Sequence, residues 1–206
     1  MKNLKNIIFI AIIIISYGAV VAQEATKPIE NYLTDRYCEF PNTYYKDTNN
    51  KLQNLVGTWE YNNGIHYFKI TFSKAKTLVN EYHSVYADVL YTEFLYKKNN
   101  IVIYDNYGIT NYNLNNTVNQ KPSNIESTFV KNSNISFLYT EPSTNNCHRR
   151  KVGRLNILYI SNSGFPQIQW NRSTDTGYFD DMPCDNGLEP DNSDFVIPAN
   201  MTLNKI

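Results

Sequence analysis

Three histidines, three cysteines and one acidic loop hold most of the side chains in this 206-residue chain that could do chemistry. The histidines are His66, His83 and His148, and none belongs to an i, i+4 pair or a Cys-x-x-Cys grouping of the kind that holds zinc. Cys147 and His148 adjoin, but neighbours on an extended chain point to opposite sides. Asp175, Asp180, Asp181, Asp185-Asn186-Gly187, Glu189 and Asp191 form the densest carboxylate group, and calcium does use oxygen ligands gathered on a glycine turn. The spacing departs from Asp-x-Asx-x-Asx-Gly with a later Glu, so a solvated acidic loop is the default reading. No metal and no cofactor are expected.

Catalytic signatures are equally thin. There is no Gly-x-Ser-x-Gly, no histidine with a Ser and Asp partner in view, and no glycine-rich phosphate or dinucleotide loop. Asp88 and Glu93 are candidates for a carboxylate pair, but on a strand they fall on opposite faces. Arg149, Arg150, Lys151 and Arg154 could hold an acidic partner, although a solvated loop offset by nearby Asp residues accounts for them. The sequons at Asn115, Asn134, Asn171 and Asn200 are what chance gives an Asn-rich chain. The formal net charge of zero supplies no electrostatic footprint for nucleic acid. The sequence reads as non-enzymatic.

The elements that would position any site begin after a leader. Lys2 and Lys5, the apolar run Ile7–Ile15, and the small residues Val20 and Ala22 predict a signal peptide over residues 1–22. The apolar run is too short to span a bilayer, so no transmembrane segment is expected after cleavage. Export makes a disulfide chemically allowed. Three pairings of Cys38, Cys147 and Cys184 are possible, and Cys147–Cys184 is favoured because their loops flank one predicted strand pair. Localisation is read as periplasmic, outer-membrane surface or secreted.

Residues 23–54 read as a lead-in, with Asp47-Thr48 capping a short helical turn that carries Leu52, Leu55 and Val56 and ends at Gly57. A single domain over residues 55–206 follows. Its first strand, Thr58–Tyr61, leads through the hairpin residues Asn62-Asn63-Gly64 into an alternating run. There His66, Phe68, Ile70 and Phe72 share the more apolar, interior face, with His66 at the rim. Residues 74–84 are ambiguous, with a helix-compatible Ala75-Lys76-Thr77-Leu78. Further strands are predicted at 85–96, 101–104, 125–130, 135–140, 152–160, 166–170, 195–197 and 201–206, with one short strand at 109–114 inside a polar loop. Successive hairpins without βαβ alternation predict an all-β antiparallel up-and-down barrel of about 8–10 short strands, with a strongly curved sandwich as the alternative.

Two resemblances rest on these residues. Gly57-Thr58-Trp59, after a helical turn and before a meander, resembles the opening of the lipocalin and calycin barrels, where the Trp plugs one end. More of the chain is similar to a family of small secreted proteins of unknown function from flavobacteria. That resemblance runs through Leu52, Gly57-Thr58-Trp59, Tyr86-Ala87-Asp88-Val89-Leu90, Cys147, Ile168-Gln169-Trp170, Pro183-Cys184 and Phe195-Val196-Ile197-Pro198. It implies fold and export, and no mechanism.

Aromatic content completes the reading, with 17 Tyr and 10 Phe in the chain. Trp59, Phe68, Phe72, Phe94, Phe137, Tyr139 and Trp170 are the expected barrel lining, and small barrels either fill with side chains or hold one ligand. The expected function is binding of a small apolar ligand in the barrel of a monomer. The alternative is a protein-interaction or inhibitor module acting through loops 141–151 and 172–193.

Overall fold

Alternation of apolar and polar residues dominates the chain, and the computed structural model resolves it into an 11-stranded sheet. The structure describes residues 24–35, 40–107, 125–131, 134–141, 151–162, 164–173 and 195–206. The lead-in holds β1 (Ala25–Pro28), a 3₁₀ turn at Ile29–Asn31, the single-turn α1 (Tyr32–Asp35), β2 (Thr43–Lys46) and a second 3₁₀ turn at Gln53–Leu55. A first meander follows: β3 (Gly57–Asn62), β4 (His66–Asn80), β5 (Val85–Lys98) and β6 (Ile101–Asp105). The second comprises β7 (Ile125–Lys131), β8 (Asn134–Glu141), β9 (Lys151–Asn162) and β10 (Phe165–Arg172), and β11 (Asn200–Lys205) ends the chain.

The strand order is β1-β2-β5-β4-β3-β11-β10-β9-β8-β7, with β6 on β5. The last strand therefore joins the two meanders, pairing with β3 through Asn204↔Glu60 and Lys205↔Trp59 and with β10 along its length. This corrects the expected closed barrel. The sheet curls until β7 lies against β5 and the Ile29–Asn31 turn, but among the described residues no ladder joins its ends. The reason is occupancy of β5. Its free edge already takes β2 in parallel (Tyr44↔Tyr86, Tyr45↔Ala87) and β6 in antiparallel pairing (Leu95 to Lys98). The all-β class holds, and the lead-in adds two strands, β1 and β2, that periodicity did not reveal.

Two local expectations also change. Residues 74–80 continue β4 rather than forming a helix, because each pairs across to β5 up to a bulge between Leu78 and Asn80. Phe195–Ile197 is not a strand but an irregular strap, anchored by its carbonyls to side chains of the sheet. The interior face of β4 is as expected, with Phe68, Ile70 and Phe72 fully buried. The lead-in shares that core through Ile29, Tyr45, Leu52 and Leu55.

Candidate functional site

The seven predicted lining residues all sit inside the curl of the sheet and are at most 1% exposed. They fill it by meeting one another. The Phe68 ring lies 5.0 Å from Trp170 and 5.7 Å from Phe94, edge-on or tilted. Trp170 in turn meets Tyr139 edge-on at 5.6 Å, and Phe72 meets Phe137 at 6.2 Å. Such offset and T-shaped contacts add to the burial of each ring. Trp59 stands apart from this group, edge-on to Tyr159 at 6.2 Å.

Each end of the interior is held by a polar anchor. At one end the Trp59 indole N–H donates to the Leu55 carbonyl at 2.7 Å, tying the first strand to the 3₁₀ turn. That turn starts later than the sequence predicts, with Leu52 rather than Asp47 at its N-cap, yet Asp47 Oδ2 still reaches it by accepting from the Gln53 amide at 2.9 Å. Gly57 adopts φ +122, a conformation that favours glycine, and admits Lys205 beside it, whose ammonium lies 5.3 Å from the Trp59 ring.

At the other end the Phe195–Ile197 strap crosses the opening. The Tyr96 hydroxyl donates to the Val196 carbonyl at 2.9 Å, and Arg172 Nη2 donates to the Ile197 carbonyl at 3.2 Å. The Arg172 guanidinium lies 3.8 Å from the centre of the Phe195 ring, a cation–π contact made in a buried setting. His66 Nδ1 is 2.6 Å from the Tyr96 oxygen. Since Tyr96 gives its one proton to Val196, Nδ1 must be the donor, which places a proton there. His66 thus sits at the rim, as expected. Arg172 was not anticipated as an anchor, and its only sequence signal is that it shares a strand face with Trp170.

A second polar group, also missed, lies where the lead-in covers β5. Asp88 is on the interior face yet only 6% exposed. It accepts from the Tyr44 hydroxyl at 2.6 Å and from the Asp47 amide at 2.8 Å. Asp47 itself receives Lys74 Nζ at 3.3 Å. Burial, and then the bond to the Asp88 carboxylate, push the Tyr44 hydroxyl far above the ordinary tyrosine range. Burial and a bond to Glu60 raise Tyr67 in the same way. The arrangement is a staple: every described contact fixes backbone or a neighbouring side chain. Glu93 lies on the opposite face of β5, so it does not converge with Asp88.

Cys38, Cys147, Cys184, His148, the carboxylates at 175–191 and the basic pair Arg149-Arg150 lie outside the described residues, as does most of loops 141–151 and 172–193. So do the signal peptide and the predicted strand at 109–114. Among the described residues no helix is long and apolar enough to cross a membrane.

Among the described residues, the solvent side carries an apolar run on β6. Ile101, Val102 and Ile103 on β6 are 66%, 51% and 39% exposed, and Ile65 in the neighbouring hairpin is 53% exposed. The Asn99 amide donates to the Ile65 carbonyl at 2.8 Å, which brings the two hairpin ends together.

The chain belongs to a family of unknown function (DUF6705), whose sequence profile matches residues 1–206. No curated protein and no solved structure matches it.

Proposed function

We propose that this protein is an exported, non-enzymatic interaction module, a curled β-scaffold that acts through its surface. The observation that carries this reading is the ring-to-ring packing of Phe94, Phe68, Trp170 and Tyr139, and of Phe72 with Phe137, where a ligand cavity would otherwise lie. Rings in T-shaped contact occupy the space a ligand would need, and interiors packed this way respond poorly to inserted volume. The 3₁₀ turn, Gly57 and the sealed Trp59 support a lipocalin-like or calycin-like opening for the scaffold.

A second reading has one observation of its own. Trp170 Nε1 is buried without an acceptor, and a small apolar ligand carrying a carbonyl or hydroxyl oxygen would satisfy it. Native mass spectrometry of protein purified from its exporting host, before and after gentle denaturation, separates the two. The interaction reading expects the bare chain. A small molecule released on unfolding would refute it and favour a ligand beside Trp170.

A further inference from the structure

We infer that the outer face of β9, β10 and β11 binds an uncharged glycan chain. The inference rests on the surface-acting reading above and gives that surface a partner.

Register fixes which side chains share this face. Gln169 stands opposite Thr202 on β11 and Leu158 on β9, and Asn171 stands opposite Asn200 and Asn156. Directly opposed residues of antiparallel strands point to one side of the sheet. The alternate positions Ile157, Ile168, Trp170, Met201 and Leu203 are buried, so this side is the outer one. The side chains form two rows, with strands about 4.8 Å apart and rows about 7 Å apart. Ser136 continues the second row onto β8, where it donates to Asn156 Oδ1 at 2.6 Å. Four strands give that row a length of about 14 Å. Every member of the two rows is at least partly open to solvent.

Two features set these rows apart from an ordinary surface. None of their residues is charged, whereas the outer face of β4 and β5 carries Lys69, Glu93 and Lys97. Charge returns only at the borders, at Arg154 opposite Leu138 and at Glu60 opposite Asn204. Asparagine is also depleted in strands, yet Asn156, Asn171 and Asn200 stand side by side on three of them. Residues that work against their own element are expected where function holds them.

The partner follows from the chemistry of the rows. The carboxamides of Gln169, Asn171 and Asn200 make no side-chain hydrogen bond among the described residues, so their donors and acceptors face outward. A carboxamide offers both donors and an acceptor, and so does a hydroxyl, which matches the rows to a polymer of hydroxyls. Leu158 supplies apolar surface for the C–H side of a sugar ring. A nucleic acid would need Lys or Arg here, and the centre of a protein interface would need aromatic or apolar side chains. The length of the second row suits linked units better than a single ring.

The test is affinity electrophoresis of the full chain in native gels containing galactomannan, arabinoxylan or dextran, with polygalacturonate as the charged control. At least one neutral polysaccharide should retard the wild type. Gln169→Ala/Asn171→Ala removes two carboxamides and should weaken that binding at least about tenfold. Asn171→Asp keeps the shape but loses the donor, and should weaken it about threefold or more. These side chains face solvent, so circular dichroism should match wild type. Lys97→Ala, on the charged half of the outer face, should migrate as wild type does. A wild type retarded by no neutral polysaccharide, or by polygalacturonate alone, overturns the inference. So does retardation undiminished in the double variant. None of these outcomes concerns a small molecule released on unfolding, so failure here is distinct from failure of the surface-acting reading.

Discussion

Replacing Asp88 tests the staple between lead-in and sheet most directly. In the folded chain its two oxygens accept from the Tyr44 hydroxyl and the Asp47 amide, and the latter bond is buried. Asp88→Ala removes both acceptors. The Asp47 N–H then has no replacement for its partner, a desolvation penalty of about 1–3 kcal/mol. Tyr44 is half-buried and can turn to water, so losing its bond costs about 0.5–1.5 kcal/mol. The combined loss should be about 1.5–4.5 kcal/mol, out of a total stability of about 5–15 kcal/mol for a domain. Asp88→Asn behaves differently. Its carbonyl can accept from Asp47 and its amide can donate to the Tyr44 oxygen, so only the charge assistance is lost, about 1 kcal/mol or less. Urea unfolding of the three proteins measures the differences, and hydrogen exchange locates them. Exchange should accelerate at the Asp47 amide and along β2 in Asp88→Ala while the β8–β9 ladder stays protected. An Asp88→Ala variant within about 0.5 kcal/mol of wild type, or one matched by Asp88→Asn, would refute the assignment of this carboxylate as an acceptor hub.

The two buried tryptophans should respond unequally to the same change. Trp59→Phe deletes a bond and strands the Leu55 carbonyl, whereas Trp170→Phe deletes an N–H that has no acceptor. Trp59→Phe should therefore be the more destabilising by about 1–2 kcal/mol, read from urea midpoints, and equal losses would contradict the anchoring role of Trp59. Alkaline pH should also weaken the fold. Tyr44 is held protonated well above its usual 10.0, with Tyr67 and Tyr107 raised too, so above about pH 10 the unfolded chain binds fewer protons than the folded one. Stability is then full below that range and falls as pH rises through it. Unfolding midpoints against pH, with phenolate absorbance as a second readout, should show this, and Asp88→Asn should lower the Tyr44 transition. Stability that climbs above pH 10 would contradict it.

What the sequence disclosed were the local relations. The alternation from His66 to Phe72 identified the buried face of β4. Asn62-Asn63-Gly64 and Asn99-Asn100 marked hairpins, with Gly64, Asn99 and Asn100 all taking positive φ. The aromatic interior was likewise legible, because large rings on the apolar face of a strand have few other places to go. Pairings between distant segments left no such trace. Parallel pairing of β2 with β5 joins residues about forty apart, and insertion of β11 between β3 and β10 depends on the whole sheet being formed. Ala75-Lys76-Thr77-Leu78 is helix-compatible alone, and the ladder to Val89–Tyr86 overrides that preference. Phe195-Val196-Ile197 has the composition of a short strand, yet its carbonyls go to Tyr96 and Arg172 side chains instead of a ladder. The role of Asp88 as an acceptor was hidden because its partners, Tyr44 and Asp47, belong to a lead-in without periodicity.

The anchors at the two ends bear on function through the work needed to open them. Lifting the strap breaks the Tyr96–Val196 bond, about 0.5–1.5 kcal/mol, and the charged Arg172–Ile197 bond, about 1.5–3 kcal/mol. It also exposes Ile197, now fully buried, at about 1.5–3 kcal/mol. Opening therefore costs about 3.5–7.5 kcal/mol, so the open form would be populated roughly once in 400 to 300,000 molecules. A ligand that entered past the strap and sat beneath it reclosed would enter and leave more slowly by that same factor, with its affinity unchanged. It would then still have to displace rings that satisfy one another. A partner meeting the outer surface requires no opening, because side chains such as Ile101, Val102 and Ile103 already face solvent. Occupation of the interior by rings that pack on one another is what directs the functional reading from the inside of this sheet to its outer surface.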